Sequence, residues 1–89
     1  MFPIALDVTK LKILLVGSGP AAKRRLQLLE EAGATNVTHV DEVNLDELGL
    51  FQVVMVAGVP LTKAKEISQA ARFVNVLVNV EDEIELCDF

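Results

Sequence analysis

The sequence predicts an α/β fold in which helices cover both faces of a parallel sheet of about four strands. Short apolar runs rich in β-branched residues alternate along the chain with segments whose apolar residues recur at helical spacing. Glycine or proline separates most of these segments, as expected for the turns between them. Hydrophobic residues make up 52% of the 89 residues. That content supports one small core, so residues 1–89 are expected to form a single domain.

The first half of the chain predicts a strand, a helix and a second strand. Residues 12–16, which are apolar after Lys12, predict a strand, because a continuous apolar run is typical of a strand buried on both faces. Residues 20–32 show helical periodicity, and Gly33 is suited to end that helix. Residues 36–40 are rich in β-branched residues and predict the second strand, which ends at Asp41. The predicted inner face of the helix comprises Ala22, Leu26 and Leu29, with Ala21, Leu28 and Ala32 beside it.

The second half repeats this alternation. Residues 44–48 predict a short helical turn capped by Asn44. A third strand is expected over residues 52–57, a second helix over 61–72 and a fourth strand over 75–80, followed by an acidic tail. Right-handed crossovers between such strands favour the sheet order 2-1-3-4. The residues expected to be buried by the second helix are Leu61, Ala64, Ile67, Ala70 and Ala71.

A glycine-rich turn joins the first strand to the first helix, which is the context in which this pattern binds phosphate. Gly17 permits the tight turn, Gly19 leaves room for a pyrophosphate, and Ala22 keeps the helix close to the sheet. Backbone N–H groups and the helix dipole attract the anion. The sequence therefore predicts a Rossmann-like three-layer domain that binds a dinucleotide, the alternative being a glycine turn without a ligand. We call Gly17, Ser18, Gly19, Pro20, Ala21 and Ala22 the glycine turn.

Other candidate site residues follow the remaining strands. Asp41 lies 24 positions after Gly17, a spacing expected of an acid that binds the adenosine ribose. Its carboxylate would repel a 2′-phosphate, and no arginine or lysine is expected nearby to bind one, so NAD is expected rather than NADP. Ala57 and Gly58 are expected to contact the cofactor as well. Asp82, just past the fourth strand, could act as a general acid or base. The alternative for Asp41 is an ordinary turn aspartate, and the alternative for Asp82 is a place in an acidic surface loop.

Charge and residue counts exclude several kinds of function. A net charge of −5 opposes nucleic-acid binding. The single histidine and single cysteine cannot build a closed zinc site, so no residue is assigned to a metal, and a metal held by carboxylates is left as the alternative. His39 is expected to be structural or solvent-facing. No apolar stretch approaches the roughly 20 residues that span a bilayer, and no signal peptide is evident, so a cytoplasmic protein is expected. Lys23, Arg24 and Arg25 would either serve a bound phosphate or form a solvated face.

Several stretches of the chain together point to one family. They are residues 2–7, 14–25 and 28–34 and, most specifically, residues 77–82 (Leu-Val-Asn-Val-Glu-Asp) followed by residues 85–89 (Glu-Leu-Cys-Asp-Phe). In these stretches the chain resembles the N-terminal dehydrogenase domain of siroheme synthases and the related precorrin-2 dehydrogenases, which carry an Asn-Val-x-Asp segment and a Leu-Cys-Asp-Phe continuation. The family usually has another helix and strand between the positions of Asp41 and Phe51, so this chain looks shortened there.

The resemblance implies an NAD-dependent oxidation of precorrin-2, a tetrapyrrole, to sirohydrochlorin in siroheme biosynthesis. Hydride would pass to NAD, and Asp82 would be the catalytic acid or base. The resemblance also implies a link to iron insertion and an assembly with a second copy or a separate partner domain. The rival hypothesis is a nucleotide-binding module without catalysis, or a truncated relative that needs a partner chain. A scaffold with an empty glycine turn is a third hypothesis, and it predicts no nucleotide affinity.

Overall fold

A computed structural model describes residues 4–89 of the chain; Phe2 and Pro3, which carry part of the family resemblance, lie outside that range. One sheet contains four strands, all of them parallel to their neighbours. The strands are β1 (Ile13–Val16), β2 (Val37–Val40), β3 (Val53–Val56) and β4 (Leu77–Val80). Their order is β2-β1-β3-β4, which confirms the predicted order and the Rossmann-like α/β class.

The helices α1 (Gly19–Glu31) and α2 (Leu61–Phe73) pack on opposite faces of the sheet. Successive side chains of a strand point to opposite faces, so β1 contributes Ile13 and Leu15 to the core shared with α1 and Leu14 and Val16 to the core shared with α2. The central strands β1 and β3 are buried along their whole length. Within residues 4–89, no helix combines the length and the apolar character needed to cross a membrane.

Four predictions at the surfaces and ends of these elements were wrong. Ala32 is exposed, because it caps the end of α1 instead of lying within the helix. Leu61 is 46% exposed, because α2 begins at the rim of the sheet and its first buried residue is Ala64, one turn later. Leu28 is 59% exposed, because it shares the outer side of α1 with charged residues. Asn75 does not belong to β4; its φ of 61° places it in a left-handed turn after α2. Periodicity identifies an apolar face, but it does not show where the sheet beneath that face ends.

The last residues fold back onto the outer edge of β4 rather than forming a free acidic tail. A short 3-10 helix, Ile84–Leu86, reverses the chain. The Asp88 N–H then donates to the Val78 carbonyl at 2.8 Å, and the Val78 N–H donates to Asp88 Oδ2 at 3.0 Å. The Val80 N–H donates to Cys87 Sγ at 3.2 Å, and the thiol lies 3.2 Å from the Val80 carbonyl. The Cys-Asp pair of the tail therefore takes the place of a neighbouring strand along this edge.

Candidate functional site

The carboxyl ends of the four strands meet at one rim of the sheet, and all the predicted site residues lie there. The glycine turn follows β1, Asp41 follows β2, Ala57 and Gly58 follow β3, and Asp82 lies two residues past β4. Because β2 and β3 lie on opposite sides of β1, the chain leaves β1 and β3 in opposite directions and a crevice opens between their ends.

Two turns at this rim touch each other backbone to backbone. Gly17 has a φ of 136°, and a Cβ atom there would overlap the carbonyl oxygen of Ala57. Gly58 has a φ of 72°, and a Cβ atom there would overlap the carbonyl oxygen of Ser18. Both glycines are therefore required by the close approach of the two turns, whether or not a ligand is bound. Gly58 was predicted only to contact the cofactor, and its packing against Ser18 is an additional role.

The glycine turn leaves the N-terminus of α1 open to an anion. Gly19 has a φ of 77°, and a Cβ atom there would meet nothing within 4 Å. Ser18 is the N-cap residue, but its side chain makes no capping hydrogen bond with residues 4–89, and Pro20 has no N–H group. Among residues 4–89, no side chain accepts a hydrogen bond from the remaining N–H groups of the first turn of α1. The open space beside Gly19 and the N–H groups next to it fit the diphosphate of a dinucleotide.

A cavity of about 400 Å³ lies beside the glycine turn and is large enough for part of a nucleotide. Asp41 lines it, and so does Lys63 of α2, whose Nζ lies 3.9 Å from Glu66 Oε2. Lys63 corrects the expectation that no basic residue stands near Asp41, because α2 brings it there from 22 positions away in sequence. The other lining residues are Val16, Ser18, Glu42, Val43, Leu45, Gly58, Val59, Pro60, Glu66 and Ile67.

A second, more open cavity of about 520 Å³ lies at the end of β4, and Asp82 and Arg25 both line it. Asp82 is exposed and has a φ of 65°, a left-handed conformation that aspartate tolerates better than most residues. Beside it, Glu81 Oε1 lies 3.6 Å from Arg24 Nη2, whereas Glu81 Oε2 is buried without a hydrogen-bond partner among residues 4–89. Two of the three basic residues at the start of α1 therefore lie near the end of β4.

His39 contacts the glycine turn, which sequence reasoning did not predict. The side chain is exposed, and its Nε2 atom lies 2.9 Å from the Gly17 carbonyl oxygen. The available signal was positional: His39 is paired in register with Leu15, two residues before Gly17, so it stands next to the start of the turn. The hydrogen bond joins the imidazole to the backbone, so no pattern of side-chain types in the sequence indicates it.

Comparison with known proteins links this geometry to a family. Residues 4–48, which include β1, the glycine turn, α1, β2 and Asp41, match a family described as "Putative NAD(P)-binding". The chain is also similar to the siroheme synthase of Pseudoalteromonas atlantica, with 32% identity over 108 aligned positions that cover 99% of this chain and 23% of the relative. The chain thus spans about a quarter of that protein's length. An alignment longer than the 89 residues means that the siroheme synthase carries residues in this region that the chain lacks.

Proposed function

The chain belongs to this NAD(P)-binding family, and on that premise we propose that it binds NAD at the rim where β1 and β3 diverge. The observation that carries the proposal is the open space beside Gly19, at a helix N-terminus that no side chain of residues 4–89 caps. Residues 17–22 would hold the pyrophosphate through backbone N–H groups, assisted by the positive end of the α1 dipole. Ala57 and Gly58, in the turn that touches Ser18, would border the cofactor on its other side.

Asp41 supports NAD over NADP. It would accept hydrogen bonds from the adenosine ribose hydroxyls, since it follows β2 and lines the cavity beside the glycine turn. The lining of that cavity contains three carboxylates, those of Asp41, Glu42 and Glu66, against the single ammonium group of Lys63. A 2′-phosphate would therefore enter a region of net negative charge, and Lys63 is already paired with Glu66.

The similarity to siroheme synthase supports a finer proposal, the oxidation of a tetrapyrrole such as precorrin-2. Bound NAD would supply the hydride acceptor. Asp82 would accept the proton that leaves the substrate, because its carboxylate is exposed in the cavity at the end of β4. Arg25 lines the same cavity and would attract a carboxylate group of an anionic tetrapyrrole.

Calorimetric titration with NAD tests the proposed site, and we expect saturable binding that Gly19→Asp abolishes. The substituted side chain would meet no atom within 4 Å, and aspartate tolerates the positive φ of this position better than most residues, so the fold should survive. Its carboxylate would face the diphosphate. Two like charges about 4 Å apart repel by about 4 kcal/mol at an effective dielectric constant near 20. Gly19→Asp should therefore weaken NAD binding by at least about a hundredfold.

Gly19→Asn is the matched control, because asparagine has the shape of aspartate and the same tolerance of positive φ. Gly19→Asn should weaken NAD binding about tenfold through crowding alone. The further loss of affinity in Gly19→Asp then measures the repulsion between the carboxylate and the diphosphate. Circular dichroism would show whether both variants stay folded. A wild-type chain that binds no NAD up to millimolar concentration would contradict the proposal, as would equal affinities for the two variants.

Asp41→Ser should shift the cofactor preference toward NADP by about tenfold, measured as the ratio of the two dissociation constants. Removing the carboxylate removes its repulsion of a 2′-phosphate and leaves Lys63 as a cationic partner. Lys63→Met in the Asp41→Ser background should reverse most of that gain. If the ratio stays unchanged in Asp41→Ser, Asp41 does not contact the ribose.

A further inference from the structure

We propose that His39 is a positioning residue for the glycine turn, aligning it to receive a diphosphate; this role rests on the proposed NAD site. The observation is the 2.9 Å separation of His39 Nε2 from the Gly17 carbonyl oxygen. A carbonyl oxygen only accepts hydrogen bonds, so Nε2 must carry the proton and donate it.

This hydrogen bond completes the attachment of Gly17 to β2. The Gly17 N–H donates to the Val40 carbonyl at 2.9 Å, which continues the parallel ladder between β1 and β2. In a longer ladder, the Gly17 carbonyl would accept from a backbone N–H beyond Val40. Since β2 ends at Val40, the imidazole of His39 supplies the missing donor. Both backbone groups of Gly17 are then fixed from the same side.

Fixing the Gly17 carbonyl also fixes the N–H group of Ser18. These two groups belong to one planar trans peptide, so they point in opposite directions. With the carbonyl directed at β2, the Ser18 N–H points away from β2. Among residues 4–89, no acceptor takes this N–H. His39 therefore orients a free donor at the edge of the crevice, where a phosphate oxygen would bind.

Titration calorimetry with NAD and with ADP tests this role in three variants of the whole chain. His39→Phe keeps a flat ring without a donor and should weaken both ligands about three- to tenfold, the usual value of one such hydrogen bond. His39→Gln retains an N–H of similar reach and should stay within about twofold of wild type. Thr38→Val, an exposed neighbour on β2, is the matched control and should leave both affinities unchanged.

Adenosine, which lacks phosphate, separates positioning from a general structural effect. Its weak binding, followed by NMR titration, should be the same in His39→Phe and wild type. Equal weakening of adenosine and ADP would overturn the proposal, and so would wild-type ADP affinity in His39→Phe. Absence of wild-type NAD binding would overturn the NAD site together with this role, whereas normal wild-type binding with an ineffective His39→Phe would overturn this role alone.

The ring of the wild-type protein gives a readout that does not depend on whether a variant folds. Nitrogen-15 chemical shifts of the imidazole identify which nitrogen carries the proton at neutral pH. Protonation at Nε2 supports the hydrogen bond to Gly17, because only that tautomer or the fully protonated ring donates from this atom. A neutral ring protonated at Nδ1 would overturn the proposal.

Discussion

Gly17→Ala should lower the free energy of unfolding by about 2–5 kcal/mol. The added methyl group would overlap the carbonyl oxygen of Ala57, and this oxygen belongs to backbone that cannot rotate away as a side chain could. A left-handed conformation costs a residue with a Cβ atom about 1–2 kcal/mol, and forced overpacking costs about 1–3 kcal/mol more. A domain of this length is stable by only roughly 4–13 kcal/mol, so the loss is a large part of the total.

Urea unfolding followed by circular dichroism measures this change, and Gly49→Ala is its matched control. Gly49 has no positive φ, and a Cβ atom there would meet the nearest atom, Val74 Cβ, at an ordinary 4.0 Å. We expect Gly49→Ala to change the free energy of unfolding by less than about 1 kcal/mol. Similar stabilities for the two variants would show that the turns after β1 and β3 do not meet as closely as described.

Asp82→Asn should reduce turnover of a tetrapyrrole substrate by about a hundred- to ten-thousandfold, the usual contribution of a general acid or base. Asparagine tolerates the left-handed φ of 65° at this position, so the loop after β4 should keep its shape. The NAD affinity should stay within about twofold of wild type, because Asp82 is separated from the glycine turn by the width of two strands. Stopped-flow absorbance with NAD and precorrin-2 measures the rate.

Glu85→Gln provides the control for Asp82→Asn, since Glu85 is an exposed carboxylate of the same segment that lines neither cavity. It should leave turnover unchanged. Equal loss of turnover and NAD affinity in Asp82→Asn would remove Asp82 from the proton-transfer role. A wild-type chain that binds NAD but oxidises no tetrapyrrole would instead favour the nucleotide-binding module without catalysis.

The strand order could be predicted because it follows from local patterns. A buried apolar strand shows a continuous run, as in Ile13–Val16, and the helical segments between strands require parallel crossovers of one hand. The position of the glycine turn followed for the same reason, since its function depends on neighbours within a few residues. The predictions for Leu61 and Asn75 were wrong, because burial and strand pairing at the end of an element depend on where the neighbouring sheet ends.

The features that the sequence did not predict all depend on contacts between distant segments of the chain. Lys63 reaches the cavity of Asp41 only because α2 packs above it, and nothing in the residues around Asp41 indicates this. The hydrogen bond of His39 to Gly17 joins β2 to the glycine turn across 22 positions of the sequence. The attachment of Cys87 and Asp88 to β4 uses side chains in place of a strand, a pattern that has no periodic signature.

The attachment of the tail gives the sheet two unlike edges. At the β4 edge, the backbone groups of Val78 and Val80 are already hydrogen-bonded to Cys87 and Asp88. At the opposite edge, β2 pairs with β1 alone among the described strands. A strand from another polypeptide would therefore extend the sheet only beside β2. Such an addition would place the incoming chain next to His39 and Asp41, so that assembly and nucleotide binding would compete for, or share, the same corner of the molecule.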